Sequence, residues 1–138
     1  MRLTEWKEIA ERECYKYRDN CAYVQGVLDA GKLKSDKMFQ RARWALAVEN
    51  VKEYLEQHEP VKAKFFTELF GIDRPPRWRG EKRSITAMSL TLHVDRSSLY
   101  KWKSEALMLV LISAAQTGAL RPYGVDPKKA EDHTVCNQ

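Results

Sequence analysis

Between Ile85 and Leu107 the chain reads ITAMSLTLHVDRSSLYKWKSEAL. Arg96, Ser97, Ser98, Tyr100, Lys101 and Lys103 crowd this stretch. Side chains of these types can hold phosphate oxygens and base edges. An arginine at 96 can pair with guanine O6 and N7, or with phosphate. Ser97 and Ser98 can bond phosphate, and so can the N-terminus of a helix starting at Arg96. Tyr100 can reach a thymine methyl or a phosphate, and Lys101 and Lys103 suit phosphate as point charges. A second basic group, Arg74, Arg77, Arg79, Lys82 and Arg83, lies upstream within IDRPPRWRGEKR, residues 72–83. It reads either as an arm that follows phosphates or enters a minor groove, or as a solvated loop. Trp78 can stack on a sugar or base there, or pin the loop to the core.

The charge agrees with this placement. The chain has 138 residues and a net charge of +5. The window from Gly71 to Lys103 holds eight basic and three acidic residues, so it carries that whole excess. Such a surface attracts phosphate and releases condensed counterions. Other chemistries lack their residues. Three cysteines, Cys14, Cys21 and Cys136, and three histidines, His58, His93 and His133, are scattered without metal-ligand spacing, so no metal or cofactor is expected and the thiols should be reduced. There is no Gly-rich phosphate loop, GxSxG or HExxH, so no enzyme is expected.

Helices must position these residues. Composition is that of a globular domain, 43% hydrophobic and 31% charged. The longest apolar stretch, Ala106–Ala115, interrupted only by Ser113, is far below the roughly 18 residues of a membrane span. The charged start MRLTEWKEIAERE lacks a signal-peptide core, so a cytoplasmic location is expected. Trp6, Ala10, Cys14, Tyr17, Cys21, Val24 and Leu28 recur in steps of three or four and predict one helix from Thr4 to about Ala30. Met38, Ala42, Ala45, Val48, Val51 and Leu55 predict a second, capped by Ser35 or Asp36 and ending near His58. Pro60 opens a third, to Phe70. Ser84 caps a short fourth, Ile85 to Leu92. After a turn at His93-Val94, the Asp95 carboxylate is expected to cap the last, which runs to Thr117 and stops at Gly118. The expected fold is all-α: an N-terminal helical hairpin (1–58), a helix-turn-helix region with a long final helix (59–120) and a flexible tail (121–138). Leu92, Val94 and Leu99 should bury together, with Ser89 small enough to let the two helices touch.

LTLHVDRSSLYKWKSEALMLV resembles the helix-turn-helix of sigma-factor region 4, and more closely the phage-type ArpU/RinA late transcription regulators. The matching residues are Leu92, Arg96, Ser97, Ser98, Tyr100, Lys101, Glu105, Ala106 and Leu107. The likeness covers about 35 residues. It implies a regulator that binds double-stranded DNA through the helix starting at Arg96. Two positions depart from the pattern. His93 stands where glycine is usual, and Asp95 stands where serine is common, bringing a negative charge that can accept from cytosine N4 or repel phosphate. Two rival readings remain: a small terminase-like DNA-packaging subunit, and a sigma-like module that grips RNA polymerase. Leu107–Ile112 is apolar all around the helix, which suits packing on the hairpin alone or a homodimer.

Overall fold

The computed structural model describes residues 1–32, 34–75 and 83–127. Among these the chain is helical and holds no strand. The elements are α1 (Leu3–Tyr15), α2 (Tyr17–Asp29), α3 (Asp36–His58), α4 (Pro60–Phe70), α5 (Ile85–Leu92) and α6 (Arg96–Thr117), followed by a 3-10 turn, Arg121–Tyr123.

Local chemistry sets most of these boundaries. The Ser35 hydroxyl accepts from the Met38 amide at 3.2 Å and starts α3. Pro60 stands in the first turn of α4, where its missing N–H costs nothing. Gly118 ends α6 at φ 86°, a left-handed conformation that an L side chain would strain.

The long helices α3 and α6 lie side by side in opposite directions. At one end the Gln40 amide donates to the Ala119 carbonyl (2.6 Å) and the Thr117 hydroxyl to the Arg43 carbonyl (3.1 Å). At the other end Lys62, just past α3, reaches Glu105 at 3.5 Å. Val48 and Val110 are fully buried, as are Ala47 and Ala114. α4 folds back so that Phe66 is fully buried and Phe65 meets Trp102 edge-on at 6.0 Å. Removing a side chain like Phe66 from water contributes about 1.5–3 kcal/mol.

The first predicted helix is two helices. The chain bends at Lys16 (φ −87°, ψ 0°), so α1 stops at Tyr15 and α2 starts at Tyr17. α1 packs on α6, whereas α2 packs along α3. One straight rod cannot serve both partners. The bend directs Ala10 and Cys14 into the core beside α6 and lets Asn20 turn inward under Arg41, whose Nε donates to its Oδ1 at 2.8 Å. Cys21, on α2, is half-buried.

The segment after Gly118 also differs from the flexible tail expected from 121 to 138. Leu120 is buried, Tyr123 meets Trp6 edge-on at 5.5 Å, and the Val125 amide donates to the Leu120 carbonyl at 3.2 Å. Apolar side chains hold this stretch against α1. Residues 128–138 lie outside the described residues.

Candidate nucleic-acid interface

α5 begins at Ser84, whose hydroxyl accepts from the Ala87 amide at 3.0 Å. It ends at His93, which adopts φ 56°, ψ 43° and is the one non-glycine at positive φ among the described residues. Histidine tolerates this region better than most side chains, so the tight turn forms without glycine. Ser89 then closes the corner twice. Its hydroxyl donates to the Val94 carbonyl at 2.6 Å, and its own carbonyl accepts from the Val94 amide at 3.3 Å. The small side chain expected at 89 therefore also ties the turn to α5.

Met88 and Leu99 are fully buried, and Ile85, Leu92 and Val94 pack half-buried against the same core. This fixes the rotation of α6. With Leu99 inward, Arg96, Ser97, Tyr100 and Lys101 stand exposed on the first two turns, and Ser98 is half-buried. Tyr100 keeps 53% of its surface open. Among the described residues, Arg96, Tyr100 and Lys101 make no ion pair or side-chain hydrogen bond.

Three expected details change. Asp95 does not cap α6 with its side chain. Its carbonyl accepts from the Leu99 amide at 3.0 Å, and its exposed carboxylate leaves the first amides of the helix open. An exposed helix start needs no protein cap, because water or an anion can satisfy those donors. Lys103 points to α1, where its Nζ lies 2.6 Å from the Glu11 carboxylate. Two residues past Lys101, this side of α6 already meets α1. Arg83 likewise reaches back to Glu68 at 3.6 Å. Arg77, Arg79 and Lys82, together with Trp78, lie outside the described residues. Arg74, at the start of that segment, is held through its carbonyl, which accepts from Arg18 Nε at 2.8 Å.

Sequence reasoning missed what α1 contributes. Beside the Glu11–Lys103 pair, Lys7 donates to the Ser104 hydroxyl at 2.6 Å across 97 residues of chain. No local pattern announces a contact so distant in sequence. Together the two bonds clamp α6 directly behind its exposed turns.

No protein-family model, curated protein or solved structure matches this chain.

Two cations, a phenol, a serine hydroxyl and open helix-start amides share one face. Cys14 is fully buried, and burial together with Glu11 and Glu13 pushes its thiol well above the usual range, so it is a poor nucleophile. No helix among the described residues is long and apolar enough to cross a membrane.

Proposed function

We propose that this chain is a sequence-specific transcription regulator of phage or prophage type that binds double-stranded DNA. α5 and α6 act as the helix-turn-helix, and the first two turns of α6 enter the major groove. One observation carries the reading: Leu99 is fully buried while Arg96, Ser97, Tyr100 and Lys101 around it stay exposed, the two cations without ion pairs among the described residues. A helix that buries its middle and offers unpaired cations and hydroxyls at its N-terminus suits phosphate and base edges. The resemblance of residues 92–107 to ArpU/RinA-type regulators supports the same reading.

The test is selection of bound sites from random duplex DNA, followed by gel shifts. Arg96→Ala and Lys101→Ala should each weaken binding to the selected site by roughly 1–3 kcal/mol while circular dichroism stays unchanged. Unaltered affinity in the double variant refutes the assignment.

Leu90, 74% exposed on α5, favours a second reading in which this region also meets a protein such as RNA polymerase. Leu90→Ser should then abolish polymerase capture without changing DNA affinity. Ile112, 51% exposed on α6, favours pairing of two copies, which palindromic selected sites would reveal.

A further inference from the structure

The charge of the chain has a second centre. Residues 31–43, GKLKSDKMFQRAR, hold five basic side chains and one acid, a net +4. With the 71–103 window at +5 and the whole chain at +5, everything else sums to −4. Two basic regions therefore stand on an otherwise acidic molecule.

The fold puts the start of α3 and the start of α6 at opposite ends. α3 starts where α6 finishes, because Gln40 bonds Ala119 and Thr117 bonds Arg43. Arg96 and Thr117 are the two ends of α6, which at 1.5 Å per residue are about 32 Å apart. At the far end Lys37 and Arg41 lie over the Tyr23 ring, 5.3 and 4.1 Å from its centre. Arg41 is held further by Asn20 Oδ1 (2.8 Å) and the Asp19 carbonyl (3.3 Å). Lys16 joins Lys37 and Arg41 along one open groove of about 470 Å³ that Glu13 and Asp19 also line, and Lys32 and Lys34 stand exposed in the connection just before α3.

Lys52, Lys62, Arg83 and Lys103 each meet a carboxylate within 4 Å. Among the described residues, Lys16, Lys32, Lys34, Lys37, Arg41 and Arg43 meet none. A cluster of unpaired cations flanked by aromatic rings complements a phosphate backbone in charge.

The duplex at Arg96 cannot serve both ends while it stays straight. α1 holds α6 just behind its first two turns through Glu11–Lys103 and Lys7–Ser104, and α6 runs on from there toward the start of α3, so a straight duplex seated on those turns does not reach the far end. We infer that the start of α3 is a second phosphate-backbone site that holds another duplex segment, so that one protomer bridges two stretches of DNA. The account of the first segment rests on the proposed reading of α6, whereas the second site has its own residues and its own test.

The experiment uses the full chain and a bead-bound duplex carrying the selected site. Protein loaded on that duplex should retain a labelled duplex of unrelated sequence. Lys32→Gln/Lys34→Gln/Lys37→Gln should bind the bead-bound site as tightly as the parent and lose retention of the second duplex by about tenfold or more at moderate salt. Arg96→Ala/Lys101→Ala should lose preference for the selected site yet keep weak, salt-sensitive duplex binding, which disappears when the three lysines are also replaced. If that protein keeps no such binding, the second site is overturned. If it keeps its site preference, the assignment of α6 fails while the second site stands. Bridging by the triple variant at the parental level overturns the inference. So does absence of bridging by the parent, or retention of polyglutamate in place of duplex, which would mark a site for an acidic protein segment.

Discussion

Lys103 and Lys101 are two residues apart, yet they have different fates. Lys101 stands exposed, while Lys103 is 2.6 Å from Glu11. A lysine already paired to a carboxylate displaces few counterions from DNA. Glu11→Gln should therefore free Lys103 to meet phosphate, steepening the slope of log affinity against log salt by about 1. A titration of binding across salt concentrations measures this, and an unchanged slope shows that Lys103 stays turned to α1. Buried titrating groups make a separate prediction. Burial raises the Cys14 thiol, and burial together with Cys21 raises the Tyr17 phenol. The folded chain keeps these protons when the unfolded chain releases them. Their contribution to stability is complete below the ordinary thiol range and falls as pH rises past it. Urea midpoints should drop on the alkaline side, and Cys14→Ala should reduce the part of the drop that begins in the thiol range.

The corner between α5 and α6 was largely legible in the chain. Ser84 and Ser89 announced a cap and a close approach, and Leu92, Val94 and Leu99 announced the packed side. Its energetics depend on His93 at φ 56°. A β-branched residue strains this conformation further, so His93→Val should lower stability by about 1–2 kcal/mol and reduce DNA binding in step with the loss of fold. His93→Gly should tolerate the turn at least as well as the parent. Thermal denaturation of both variants distinguishes turn strain from a direct role of the imidazole. The break at Lys16 was not legible. Tyr15-Lys16-Tyr17 contains neither glycine nor proline, and the apolar steps of three and four continue through it. The bend arises because α1 and α2 rest on different helices.

Across the whole molecule, one buried cluster runs from Ala10 in α1 through α3, α4 and α6 to Leu120. Phe66 and Val110 sit fully buried within it. Phe66→Ala should cost about 3–5 kcal/mol and Val110→Ala somewhat less. Because the core is continuous, both should shift one shared unfolding transition, seen alike by helix signal and by tryptophan fluorescence. Two separate transitions would show that the N-terminal helices fold apart from α5 and α6. The arrangement of charge belongs to this scale too. The run at 31–43 is plain in the chain, but its distance from Arg96 exists only once α3 and α6 pack in opposite directions.

Periodicity, caps and turn residues were enough to place the starts of α3, α4, α5 and α6 and to mark Arg96, Ser97, Tyr100 and Lys101 as the outward side of α6. Such features act through neighbours within about one helical turn, where backbone geometry alone decides who faces whom. Long-range packing governed the rest: the bend at Lys16, the capture of Lys103 by Glu11, the docking of Tyr123 on Trp6 and the open amides behind Asp95. Each depends on a partner tens of residues away or on what remains uncovered after packing, and no local spacing encodes either.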